Sequence, residues 1–330
     1  MSDARPATCL RPREAASGGQ RQLPAGPRVR LVDRAIVRAL PAVPRAIVRR
    51  VAQRYIAGTE LADACRVVKR ENDAGRMATV DVLGEEISSA GEAHAIARVY
   101  RDVLEAIERE GLDSNVSVKL TALGLKLGYE LCRENLEEVV RDAVGRGNFV
   151  RIDMEDSSCT DDTLRLYREL CGAGLDNLGV VLQADLRRTL DDIAALADLR
   201  PSVRLCKGIY VEPEEIAFED PEEVRDGFLR ALDALLEAGC RVAVATHDEH
   251  LIGESLRRLY NAGVPRADYE LQFLLGVRAE RAGSIVREGH RVRVYVPFGA
   301  RWYEYSLRRM QENPRLAGQI ALSTLERLLP

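Results

Sequence analysis

The sequence predicts an α/β chain, a (β/α)8 barrel of the TIM type preceded by helical arms. Three observations predict it. Eight short β-rich runs lie between residues 78 and 299 of the 330-residue chain. Amphipathic segments such as EAHAIARVYRDVLEAIERE and EEVRDGFLRALDALLEAG separate them, with apolar residues at helical spacing and charges on the other face. Polar groups recur at the C-terminal ends of the runs, where the chemistry of a barrel gathers. An open doubly wound sheet would usually need fewer strands and a Gly-rich first turn, and no GxGxxG follows the first run.

In chain order, residues 1–28 are rich in Pro and Gly and read as a disordered tail, and 29–76 read as helical arms punctuated by Pro41 and Pro44. Residues 77–330 form the barrel. Its first run, ATVDVLG (78–84), leads to Glu85, and NVSVKLTAL (115–123) carries Lys119. FVRIDME (149–155) carries Asp153 and Glu155, and LGVVLQA (178–184) carries Gln183. VRLCKGIY (203–210) holds Arg204 and Lys207, and RVAVATH (241–247) ends on Thr246 and His247. YELQFLLG (269–276) contains Gln272, and RVRVYVPFG (291–299) contains Tyr295. Polar groups inside apolar runs are costly to bury without partners, so a cluster of them at one rim marks a site. After the last run, an aromatic helical stretch carries Arg308 and Arg309 side by side. Adjacent guanidinium groups near a cleft call for an anion between them.

Composition narrows the function. With 48 basic and 52 acidic residues, the formal charge of −4 gives no electrostatic footprint for nucleic acid. No run of about 18 apolar residues suits a membrane span. Seven scattered cysteines without CxxC spacing argue for a reducing compartment and against a zinc site, and HxxH in THDEH is weak support for any metal. Twelve arginines among the first 55 residues resemble a transit peptide, but arginine replaces lysine through most of the chain, which has only four lysines. On residues alone, two alternatives stand beside an anion-binding barrel. One is an aldolase-like enzyme with Lys119 or Lys207 as Schiff-base amine, the other a catalytically inert scaffold.

The motifs VSVKLTAL, RIDME, VVLQA, RLCKGIY, ATHD, LQFLLG and YVPFGxxWYxYxLRR, in this order, resemble those of the proline dehydrogenase family from about residue 45 to 315. The resemblance implies a monofunctional bacterial flavoenzyme whose barrel binds FAD without a covalent bond. It would oxidise L-proline to 1-pyrroline-5-carboxylate by hydride transfer from proline C5 to flavin N5. A membrane quinone would take the electrons, and a pyrroline-5-carboxylate dehydrogenase is an implied transient partner. The implied location is the cytoplasm, with possible peripheral contact at the inner face of the membrane.

By the same resemblance, Arg308 and Arg309 grip the substrate carboxylate, Lys119 adds a third positive contact, and Glu85 pairs with Lys119. Asp153, Tyr295 and Leu274 shape the proline pocket, and Arg204 lies beside the flavin N5. Met154, Gln183, Lys207, Gly208, Ile209, Thr246 and His247 contact the rest of the cofactor, with Gly208 allowing close backbone approach. Glu304 and Leu275 stand where many family members have proline and tyrosine.

Overall fold

A computed structural model describes residues 49, 52, 54–84, 87–303, 305 and 306. The predicted tail, the helical arms up to residue 48, Glu85, Arg308 and Arg309 therefore lie outside the described residues.

Eight parallel strands pair each with the next, and β8 closes onto β1. They are β1 Met77–Val82, β2 Ser114–Val118, β3 Val150–Ile152, β4 Leu178–Gln183, β5 Ser202–Cys206, β6 Arg241–Ala245, β7 Tyr269–Leu274 and β8 Val292–Phe298. Helix α1 (Leu61–Asp73) precedes the barrel and packs on β8 and β1. The seven interstrand helices are α2 Ala90–Arg109, α3 Tyr129–Gly145, α4 Thr160–Gly172, α5 Thr189–Leu196, α6 Pro221–Glu237, α7 Glu249–Asn261 and α8 Ala279–Arg287.

The period of two along each strand sorts the side chains into two environments. Val80, Val118, Ile152, Val180, Leu205 and Val244 belong to the apolar layer between strands and helices, with Tyr100, Leu136, Leu166 and Phe228 fully buried there. The alternate positions face the barrel interior, and many of them are polar: Asp81, Ser117, Arg151, Asp153, Arg204, Glu270 and Arg293 are each buried or nearly so. Helix starts follow local chemistry. Asp220 accepts from the amides of Glu222 and Glu223 at 2.9 and 3.2 Å, and Pro221 opens α6.

Several strands stop earlier than the apolar runs suggest. The carbonyl of Lys119 accepts from the amides of Ala122 and Leu123, so the chain turns straight after Val118. Gly208, at φ +106°, turns it after β5. Lys119, Lys207, Thr246 and His247 are thus rim residues just beyond their strands, on loops that a rigid barrel positions.

Candidate active site

The C-terminal rim encloses a cleft of about 420 Å³. All twelve predicted site residues that fall among the described ones line it. Lys119, Asp153, Arg204, Tyr295 and Leu274 line it with Met154, Gln183, Lys207, Gly208, Ile209, Thr246 and His247, and Tyr55, Tyr210 and Tyr305, not singled out from sequence, line it too.

The deepest part is an ion network that ties five strands or their rims together. Lys119 Nζ lies 2.6 Å from Asp81 Oδ1, 3.2 Å from the Tyr295 hydroxyl and 3.9 Å from Asp153 Oδ2. The Tyr295 hydroxyl donates to Asp153 Oδ2 at 2.7 Å, and Arg204 donates to Asp153 Oδ1 at 2.5 Å. Ser117 Oγ donates to the same oxygen and accepts from Arg204. Desolvation, then Asp153 and Asp81, hold the Tyr295 phenol well above its ordinary pKa, so it stays a donor at neutral pH. Arg204 is buried, yet among the described residues its Nε–H has no acceptor. A buried donor without a partner is costly, and here it belongs to a residue lining a cleft.

Asp81 and Ser117 were not singled out from sequence. A charged residue at an interior position of the TVDV run was the available signal for Asp81. Lys119 was expected to pair with Glu85, which is not among the described residues, and within those residues its carboxylate partner is Asp81. Gln272, expected at the rim, lines the cleft and also donates to Glu270 below it at 2.6 Å.

The second part of the cleft is built by the loops after β4, β5 and β6. Asp248 caps α7 by accepting from the His250 amide, and its other oxygen holds Lys207 at 2.6 Å and Arg225 at 2.8 Å. Burial opposes ionisation of Asp248, but the two cations outweigh it and bring the carboxyl down to about 2. The acidic residue inside THDEH is therefore a cap and an anchor for Lys207. His247 Nε2 accepts from the Leu274 amide at 3.1 Å. Gln183 donates to the Glu155 carbonyl at 3.3 Å, and Glu155 accepts from the Thr121 amide at 2.9 Å.

Gly208 also leaves room within the chain itself. A Cβ there would lie 1.9 Å from Asp185 Oδ2, so the missing side chain makes room for a carboxyl of this chain. Ile209, 46% exposed, and the apolar stretch Phe273–Leu275 add wide hydrophobic walls.

A flat heteroaromatic ligand with acceptors on its edge and an anionic tail needs such a surface: apolar walls, a free guanidinium donor and an anchored lysine. The residues present fit FAD on those grounds.

The sequence model of the proline dehydrogenase family matches residues 64–321. Proline dehydrogenase 1 of Bacillus subtilis (strain 168) is 37% identical over 276 residues, covering 84% of this chain and 91% of the relative. The proline dehydrogenase of Deinococcus radiodurans is 35% identical over 280 residues, covering 84% and 90%. Among solved structures, proline utilization A from Bdellovibrio bacteriovorus, inactivated by N-propargylglycine, superimposes with a TM-score of 0.78 at 24% identity. That match covers 86% of this chain and 36% of the other, and supports the barrel fold. With the family match spanning most of the barrel and whole-length relatives above one-third identity, the chain belongs to the proline dehydrogenase family of oxidoreductases.

Proposed function

We propose that this chain oxidises L-proline to 1-pyrroline-5-carboxylate with non-covalently bound FAD and passes the electrons to a membrane quinone. The observation that carries the reading is the meeting of Lys119, Tyr295, Asp153 and Arg204 in one cleft with the Lys207 and His247 loops. FAD, when bound, supplies the two-electron acceptor that takes the hydride from proline C5.

The protein's own part is binding, orientation and charge. Arg308 and Arg309 hold the substrate carboxylate, and Lys119 gives it a further positive contact. Asp81 fixes the direction of the Lys119 ammonium, so the lysine is aimed before substrate arrives. Tyr295 and Leu274 bound the space for the pyrrolidine ring. Arg204, fixed by Asp153 and Ser117, sets a buried positive charge at the wall of the cleft, and that charge favours the reduced flavin. Gln183, Met154, Lys207, Gly208, Ile209, Thr246 and His247 seat the remainder of the cofactor. The amine of proline gives up one proton to solvent at or before the loss of the C5 hydride, so one hydride and one proton depart in all and the nitrogen lone pair forms the C=N bond.

The visible spectrum of the purified protein before and after L-proline tests this reading. An oxidised-flavin band that bleaches on addition of L-proline is expected. A colourless protein would overturn the cofactor assignment, and a band unchanged by L-proline would overturn the substrate.

A further inference from the structure

Beneath the site, the barrel interior holds a second charged layer. Arg151 precedes Asp153 by two positions, so both side chains face inward. Its guanidinium donates to the carbonyls of Val180 and Ser202 and to Ser202 Oγ, and among the described residues its Nε–H has no acceptor. Space for it exists because β4 has a glycine opposite. A Cβ at Gly179 would stand 2.6 Å from an Arg151 nitrogen and 2.4 Å from the Ser202 carbonyl oxygen. Across the interior, Arg293 pairs with Glu270 at 2.9 Å and donates to the Ala78 carbonyl.

This layer therefore contains two guanidinium groups, Arg151 and Arg293, and one carboxylate, Glu270. In the layer above it, Lys119 and Arg204 are matched by Asp81 and Asp153. Among the described residues, one positive charge is left over between the two layers, away from water. Burial, and after it the charge of Arg204, lowers the Arg151 pKa to about 9, so the group still carries its charge at neutral pH.

We propose that Arg151 is an electrostatic positioning residue: the surplus charge of the Arg151–Glu270–Arg293 layer, acting beneath Arg204, raises the reduction potential of the bound flavin. The inference rests on the flavin assignment made under Proposed function. Two-electron reduction adds negative charge to the isoalloxazine, and fixed positive charge in a poorly solvated interior favours the state that gains it. Arg151 touches neither substrate nor cofactor in this account, and acts through the field it adds to that of Arg204. A purely structural role, bracing β3 to β4 and β5, is the competing explanation.

The experiment is a spectroelectrochemical titration of the flavin-loaded protein at pH 7 for wild type, Arg151→Gln, Arg151→Lys and Glu270→Gln. Loss of the arginine charge is expected to lower the midpoint by about 30 mV, equivalent to about tenfold in the oxidised-to-reduced ratio of a two-electron couple. Arg151→Lys should stay near wild type, and Glu270→Gln should shift the midpoint upward. Opposite signs for the two neutralising variants separate a field from a loosened barrel. An unchanged midpoint in Arg151→Gln, or shifts of the same sign in both, would overturn the proposal. If Arg151→Gln does not fold, a Glu270→Gln midpoint at or below wild type overturns it alone. A wild-type protein that carries no flavin would instead sink the cofactor assignment on which the inference depends.

Discussion

The carboxyl of Asp185 faces the bare backbone of Gly208, and its Oδ1 is buried without a hydrogen-bond partner. Burial, with a further push from Glu212, raises its pKa to about 7. The folded protein thus holds a proton that the unfolded chain, with an ordinary aspartate near 3.8, releases. Stability from this group is fully present below pH ~4 and is lost as pH rises through about 7. Asp185→Asn keeps the shape and removes the titration. It should raise the melting temperature at pH 8 and leave it nearly unchanged at pH 4. The expected gain is on the order of 1–2 kcal/mol, discounted from the full linkage value because the group is partly exposed. Thermal melts at the two pH values decide it, and an equal gain at both would refute the linkage.

At the scale of elements, two glycines separate packing from propensity. Gly179 in β4 cannot gain a methyl group without moving the Ser202 carbonyl, which is backbone. Gly179→Ala should cost on the order of 1–3 kcal/mol, the range for overfilling a packed interior. Gly145, at the end of α3, has nothing within 4 Å of a built Cβ. Gly145→Ala should stabilise by roughly 0.5–1 kcal/mol through lower chain entropy. Urea denaturation of both variants tests the pair, and a stabilised Gly179→Ala would show that β4 and β5 yield more easily than their contacts imply. The same elements show what the sequence made legible. The eight runs read correctly as strands, because β-branched residues alternate with polar ones around each. Their ends were read too long, because the alternation continues past Val118 and Cys206 while Lys119 and Gly208 turn the backbone. The partner of Lys119, the Asp185–Gly208 contact and the Arg151–Gly179 fit were hidden for one physical reason. Each joins positions far apart in sequence, and local periodicity carries no record of such pairs.

For the molecule as a whole, closure depends on β1 and β8, paired from Met77 with Arg293 through Val82 with Phe298. The two strands lie at opposite ends of the barrel sequence, so this seam forms only after large loop-closure entropy is overcome. A ligand that touches the rims of β3 through β7 binds the closed barrel and not the open chain. Adding FAD to the stripped protein at a hundred times its Kd should therefore raise stability by about 2.7 kcal/mol. That corresponds to a Tm rise of roughly 4–5 °C for a domain of this size. Differential scanning measurements of stripped and reloaded protein check the figure, and an unaltered Tm would mean that the cofactor does not span the rim.

The Asp153–Arg204 pair, 2.5 Å apart and buried on both sides, has a consequence for descent. Losing one partner strands the other charge away from water, at a cost of about 3–5 kcal/mol, whereas replacing both by apolar groups is often close to neutral. A lineage that abandons the chemistry is therefore not free to let these positions drift singly. Inactive barrels derived from this one should have shed aspartate and arginine together, and a chain missing only one of them should show a compensating change within reach of the survivor.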